Sequence, residues 1–197
     1  MSVNVPDLPC LETELDGLVT VVTAECDIKD VNMGVSGPAE FKTNGVVTKL
    51  NVTPNDPKEA FELKFDVTES ESSARSSKTG EAGLFKKVSI TGSNKGDSVQ
   101  FSGKTTVQRS TLDMGKGADT VTFGAKTQFV GKTTIDLGPA GGKADKVIFK
   151  GNNTPDGGRV VIENFDSKDK LLVEGKVYKA KNLEGMKIDG IKIEFAD

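Results

Sequence analysis

The stretch Asp119-Thr120-Val121-Thr122-Phe123 contains the pattern that decides the fold. Its valine and phenylalanine fall on one face of an extended strand and its polar residues on the other, as in a half-buried β-strand. The same Asp-x-Val-x-Phe phrase recurs at 97–101 and 145–149, with a weaker copy at 169–173, so successive aspartates lie 22, 26 and 24 residues apart. Repetition with a period in the twenties is typical of a solenoid, in which each repeat forms one coil.

Further strand-like runs lie between these copies, at 104–107, 133–137 and 159–165. Each coil therefore contains at least two strands joined by glycine-rich corners. Because side chains two residues apart share a face, equivalent positions of successive coils are expected to stack in the interior. The predicted columns are Val99, Val121 and Val147 in one, and Phe101, Phe123 and Phe149 in the other.

The composition favours an elongated β protein. Of the 197 residues, 35% are hydrophobic and 6% aromatic, which suits the narrow interior of a solenoid better than a large globular core. No run of 18 apolar residues predicts a transmembrane helix, and the first residues show no secretory signal, so we expect no membrane partner. Residues 1–85 contain 15 acidic and 7 basic residues, a net of −8, whereas the rest of the chain has a net of +5.

The pattern divides the chain into four parts. Residues 1–68 are predicted to form a small antiparallel β module, with a hairpin turn at Asn44-Gly45. Residues 69–83 are serine-rich and are predicted to be a loop or linker. Residues 84–175 hold the solenoid repeats, and residues 176–197 are predicted to form a capping hairpin around Asp189-Gly190. The predicted fold class is therefore all-β: a short parallel β-solenoid flanked by these two modules.

Few residues suggest catalysis. The chain has no histidine, which excludes Ser-His-Asp and Cys-His sites. Carboxylate pairs of the kind that glycosidases use remain possible, and the candidates are Asp113, Asp136, Asp156 and Glu163. Cys10 and Cys26 are the only cysteines; we favour reduced thiols over a disulfide because nothing indicates an oxidising compartment. Aromatic residues are not interleaved with basic ones, so no nucleic-acid partner is expected.

The loop Met114-Gly115-Lys116-Gly117-Ala118-Asp119-Thr120-Val121-Thr122 resembles the Gly-Gly-x-Gly-x-Asp-x-apolar-x nonapeptide of RTX (haemolysin-type) calcium-binding β-rolls. The loops 92–99 and 140–147 match it less completely. The stretch 162–171 is similar to the ending that often follows such repeats. The resemblance covers roughly residues 85–175.

This resemblance implies a right-handed parallel β-roll with calcium held between turns by Asp97, Asp119 and Asp145. The sequence departs from the family in its longer period and in the lysines that stand inside the loops: Lys95, Lys116 and Lys143. Calcium requires several oxygen ligands and net negative charge, which these lysines offset. We therefore favour a role in which each aspartate accepts backbone N–H groups at a corner, and expect no cofactor, with calcium as the alternative.

Three classes of function remain. The favoured one is a non-enzymatic structural or assembly protein, such as a phage virion surface, capsid decoration or fibre-associated protein, with protein partners that include copies of itself. The second is a secreted or cell-surface calcium-binding module of the RTX type. The third is a carbohydrate-active β-helix enzyme.

Overall fold

The protein is an all-β solenoid in the computed structural model. The structure describes residues 2–4, 11–16, 19–67, 83–139, 142–151, 153–155, 158–180, 183 and 193–196. None of these residues forms a helix long and apolar enough to cross a membrane. The described residues form the following strands: β1 (Ser2–Asn4), β2 (Leu11–Asp16), β3 (Val19–Ala24), β4 (Ile28–Thr43), β5 (Val46–Pro54), β6 (Phe61–Val67), β7 (Leu84–Lys86), β8 (Ser89–Thr91), β9 (Ser98–Phe101), β10 (Thr106–Gln108), β11 (Thr111–Asp113), β12 (Thr120–Phe123), β13 (Gln128–Val130), β14 (Lys132–Asp136), β15 (Lys146–Phe149), β16 (Thr154–Pro155), β17 (Arg159–Glu163), β18 (Lys170–Val173), β19 (Lys176–Tyr178) and β20 (Ile193–Ala196).

One coil is built from three short strands, each of which contributes to one face of the solenoid. We call these faces 1, 2 and 3; in one coil they are β9, β10 and β11. The next coil repeats them as β12, β13 and β14, each in parallel register with its equivalent. The coil after that continues with β15, β16 and β17. The predicted parallel solenoid is thereby confirmed.

The bend between faces 2 and 3 depends on a residue with left-handed backbone geometry. In three successive coils this residue is Lys87, Arg109 or Gly131, with φ values of 56°, 49° and 69°. In β4 and β5, where the two faces belong to one continuous strand, the same bend occurs at Asp30 and Lys49. A left-handed residue turns the chain sharply and lets a single strand cover two faces.

The two predicted interior columns are confirmed. Val121 lies opposite Val99 and Val147 in the strand register, and Phe123 lies opposite the phenylalanines of the neighbouring coils. All six side chains are buried. Phe123 stacks between Phe101 and Phe149, with ring centroids 5.5 Å and 5.1 Å away. Offset aromatic stacking and apolar burial thus bind each coil to the next.

The parallel solenoid begins earlier in the chain than the sequence indicated. β6 pairs in parallel with both β4 and β9, so that Leu63 and Phe65 continue the two interior columns. β5 also pairs in parallel with β4, and Asn44-Gly45 is a corner between faces rather than the predicted hairpin turn. Antiparallel pairing in this region is limited, within the described residues, to β1 on β4 and β2 on β3.

At the other end, the chain folds back on face 1. β19 pairs with β18 in the antiparallel direction, while β20 pairs in parallel with β17. The first arm and turn of the hairpin predicted around Asp189-Gly190 lie outside the described residues, as does nearly all of the predicted linker at 69–83.

The preference for reduced thiols is wrong for Cys26, which is disulfide-bonded. The only other cysteine of the sequence is Cys10, which lies outside the described residues. A disulfide requires two cysteines to approach within a few ångströms, and a sequence without a cysteine pattern contains no signal for that approach.

Candidate functional site

The aspartates that were singled out by the repeat lie at one corner of the solenoid, where face 3 leads into face 1. We call this the aspartate corner; it comprises residues 92–97, 114–119, 137–139 with 142–145, and 164–169 of four successive coils. Its loops stack closely. Gly138, with φ of 81°, lies so near the previous coil that a Cβ atom would stand 1.6 Å from the carbonyl oxygen of Gly115. Glycine is therefore required there both by the backbone geometry and by the contact.

Four aspartates form a continuous column at this corner. The backbone N–H of Asp97 donates to Oδ1 of Asp119 at 2.7 Å, and that of Asp119 donates to Oδ1 of Asp145 at 2.7 Å. The N–H of Asp145 in turn donates to Oδ1 of Asp169 at 2.8 Å. All four side chains are buried. Each carboxylate thus joins its own coil to the one before it.

The column also has partners at its ends. Oδ1 of Asp97 accepts the backbone N–H of Phe61 at 2.9 Å, which extends the same contact into the coil of β6. Its other oxygen accepts the N–H of Ser93. Oδ2 of Asp169 accepts the N–H of Asp166 within its own loop at 2.7 Å. Phe61 therefore occupies the position that an aspartate holds in the later coils.

Burial raises the pKa of the column aspartates above the ordinary value for a carboxyl group. The pKa of Asp119 rises to about 7 and that of Asp145 to about 6, in both cases chiefly because burial disfavours the charged form. The accepted N–H bonds oppose the rise, while neighbouring aspartates add to it. The pKa of Asp169 is raised for the same leading reason. Among the described residues, Oδ2 of Asp119 is buried without a hydrogen-bond partner, so no contact there offsets the cost of a charged carboxylate.

The hydrogen bonds show the aspartates in the corner role that we weighed against calcium. Asp97, Asp119 and Asp145 use their Oδ1 atoms to accept backbone N–H groups. Among the described residues, no group of three or more histidine, cysteine or acidic side chains is arranged to hold a metal ion. Calcium binding by the three aspartates remains the untested alternative.

Three of the four carboxylate candidates lie side by side at the end of face 3. Asp136 is in register with Asp113 on one side and Glu163 on the other. Asp113 and Asp136 each accept a backbone N–H two residues later, from Gly115 at 3.1 Å and Gly138 at 2.8 Å. The fourth candidate, Asp156, lies outside the described residues. The repeat gave little signal for this row, because Asp113 precedes its column aspartate by 6 residues and Asp136 by 9.

Two open clefts flank the stacked loops. The first, of about 370 Å³, lies beside the carboxylate row and is lined by Asp113, Asp136 and Asn164 among others. The second, of about 430 Å³, is lined by Lys95, Lys116 and Lys143 together with the glycine-rich loop backbone. One corner therefore presents carboxylates on one side and ammonium groups on the other, with Lys116 lining both clefts.

Comparison with known proteins adds no family. No family model matches the sequence, no curated protein matches it, and no solved structure matches the fold at a significant level.

Proposed function

We propose that the protein is a non-enzymatic structural component of a larger assembly, in which copies of the chain associate end to end. The observation that carries this proposal is the opposite charge of the two outermost described strands of face 1. This face runs in the order β2, β3, the second half of β4, β6, β9, β12, β15, β18 and β19. Its first strand is acidic and its last is basic.

The acidic end is β2. Glu12, Glu14 and Asp16 of this strand are exposed. Within the described part of the chain, β2 pairs only with β3, so its outer edge leaves backbone groups available. An exposed strand edge is a natural site for adding another strand.

The basic end is β19. Lys176 and Lys179 are exposed at or beside this strand, and between them Val177 is 54% exposed. Among the described residues β19 pairs only with β18. An apolar side chain bordered by two lysines is suited to a protein contact, since burial of the valine would add to the attraction between charges.

Together these ends favour a head-to-tail contact between copies. The β2 edge of one copy would meet the β19 edge of the next, whereas two like ends would repel each other. Such a contact is heterologous, and repetition of it produces a ring or a filament. The interior columns of valine and phenylalanine hold the coils of each copy together.

A phage virion surface, capsid decoration or fibre-associated protein is the setting we propose for such a unit. The support for this setting is analogy of architecture, together with the use of the repeated aspartates for binding coil to coil. A secreted or cell-surface location is the alternative. The disulfide at Cys26 is compatible with either setting once the protein meets an oxidising environment.

Charge reversal at each end tests the proposal. Deleting residues 1–68 would not test the acidic end alone, because β3 to β6 belong to the solenoid and would be lost with it. Instead, Glu12→Lys with Glu14→Lys makes both ends basic, and Lys176→Glu with Lys179→Glu makes both ends acidic. Sedimentation velocity should show concentration-dependent association of the wild type and little association of either double variant.

Mixing the two double variants should restore association, because each then offers an end complementary to the other. The control for the lysine variant is Lys104→Glu with Lys126→Glu. It makes the same change in net charge away from both ends of face 1 and should leave association intact. A wild type that stays monomeric at high concentration, or a mixture that fails to recover, would contradict the proposal.

A carbohydrate-active enzyme is the second candidate, and the register of Asp113 with Asp136 beside a cleft is the observation that favours it. Two carboxyl groups on either side of a glycosidic bond are the usual requirement for its hydrolysis. A hydrolysis screen over a panel of glycans tests this candidate. Turnover that Asp113→Asn and Asp136→Asn each abolish would establish it.

A further inference from the structure

The lysine side of the aspartate corner has no role in the contacts described so far. Lys95, Lys116 and Lys143 come from three successive coils and line one cleft of about 430 Å³. All three side chains are exposed. The cleft floor includes Leu137 and the backbone of Gly115 and Gly117.

Within the described part of the chain, these lysines form no ion pair with an acidic side chain. The described residues form ion pairs elsewhere, for example between Lys64 and Glu40 and between Lys49 and Asp30, but none involves the three cleft lysines. The acidic side chain that lines this cleft is Asp145, which is buried and accepts a backbone N–H through Oδ1. No ion pair among the described residues therefore holds these lysines, although Lys116 also lines the neighbouring cleft with Asp113 and Asp136.

The spacing of the lysines follows the solenoid. Adjacent parallel strands lie about 4.8 Å apart, so one ammonium group is presented for every coil along the axis. A linear polysaccharide with a carboxylate or sulfate on successive sugars presents anions at a similar interval. Periodic lysines of this kind suit a periodic anionic chain that lies along the axis.

We propose that this cleft binds a linear anionic polysaccharide, with one anionic group held near each of Lys95, Lys116 and Lys143. Pro139, which is exposed beside the lysines, offers apolar contact to sugar rings. No aromatic side chain is among the described residues that line the cleft, whereas stacking on aromatic rings is how single-stranded nucleic acids are commonly held. This proposal does not depend on end-to-end assembly.

The test compares two triple variants of the full chain. The cleft variant is Lys95→Gln, Lys116→Gln and Lys143→Gln. The control variant is Lys104→Gln, Lys126→Gln and Lys150→Gln, which removes three exposed lysines from successive coils at a different corner, where face 1 leads into face 2. Both variants lose three positive charges, so a difference in affinity between them is due to the cleft and not to the net charge.

Binding is measured by calorimetry with polygalacturonate, dextran sulfate, neutral dextran and inorganic polyphosphate. We expect the wild type to bind polygalacturonate, dextran sulfate or both, and to bind neutral dextran and polyphosphate at least about tenfold more weakly, a difference of ~1.4 kcal/mol. Binding of only one anionic polysaccharide would identify the preferred anionic group. The cleft variant should lose at least about tenfold in affinity, and the control variant less than about twofold.

Circular dichroism should show that both triple variants are folded. If the cleft variant is not, Lys116→Gln alone serves in its place, since Lys116 is the central lysine, with Lys126→Gln as its control. Equal losses in the two variants, equal binding of polyphosphate, or no binding of either anionic polysaccharide would overturn the proposal.

Discussion

The backbone N–H of Asp119 donates to Oδ1 of Asp145, 26 residues later in the sequence, at 2.7 Å. This bond joins two coils at the position where the repeat has its aspartate. The same relationship links Asp97 to Asp119 and Asp145 to Asp169. The repeated aspartate is therefore a connection along the axis, which gives a physical reason for its recurrence without a ligand.

The aspartate column predicts an unusual dependence of stability on pH. The pKa of Asp119 is about 7 in the folded protein, above the ordinary carboxyl value of 3.8, so folding favours the protonated form. The resulting stabilisation is fully present below about pH 4 and is lost as the pH rises through 7, by an amount on the order of 4 kcal/mol. Asp145, with a pKa of about 6, acts in the same direction.

Asp119→Asn should remove most of this pH dependence, because the amide oxygen still accepts the N–H of Asp97 while no group titrates. Denaturant unfolding at pH 5 and at pH 8 measures the change. Asp113→Asn, at an exposed carboxylate of the neighbouring row, is the control and should leave the dependence intact. The prediction would be contradicted if raising the pH from 5 to 8 increased the free energy of unfolding of the wild type as much as that of the asparagine variant.

The phenylalanine column predicts a large effect of truncation at its centre. Phe123 is fully buried between Phe101 and Phe149. Phe123→Ala should lower the free energy of unfolding by about 3–5 kcal/mol through lost burial and an internal cavity. Thr120→Ala, on the outward side of the same strand, should cost less than about 1 kcal/mol. Similar losses for the two variants in urea unfolding would argue against the column.

The close stacking of the corner loops predicts that a single methyl group is not tolerated at Gly138. Gly138→Ala adds a Cβ that meets the carbonyl oxygen of Gly115, and also places alanine at a φ of 81°. Gly175 has a similar φ of 79° but nothing within 4 Å of its added Cβ. Gly175→Ala should therefore show only the conformational cost of about 1–2 kcal/mol. Gly138→Ala should exceed it by at least ~2 kcal/mol in thermal or urea unfolding, and equal costs would refute the contact.

Calcium is predicted to leave stability unchanged. The Oδ1 atoms of Asp97, Asp119 and Asp145 already accept backbone N–H groups, and three lysines lie in the same loops. EDTA and millimolar calcium should each leave the melting temperature within about 1 °C of the untreated protein. An increase of ~5 °C or more on adding calcium would show that the cation binds the folded state.

The later coils could be predicted from the sequence, because their alternation of apolar and polar residues recurs together with their aspartates. The earlier coils could not, because Phe61 stands where the aspartate is expected, and because Leu63 pairs with Val99 across 36 residues of sequence. The alternation in Phe61-Glu62-Leu63-Lys64-Phe65 contained the signal, but its parallel pairing depended on contacts too distant in sequence to infer.

The candidate site was only partly predictable. Asp97, Asp119 and Asp145 were identified from their spacing, since a repeat fixes which residues meet. Their burial and the direction of their hydrogen bonds follow from how the corner loops stack, which the spacing does not determine. The lysines were recognised in the loops, whereas the cleft that they share exists only when three coils are assembled.

The claim that the protein is a structural component of a larger assembly is tested most directly by quantitative mass spectrometry of particles purified from its source. We predict a fixed copy number relative to the major structural protein through successive gradient steps. A copy number that falls toward zero as purification proceeds would contradict the claim.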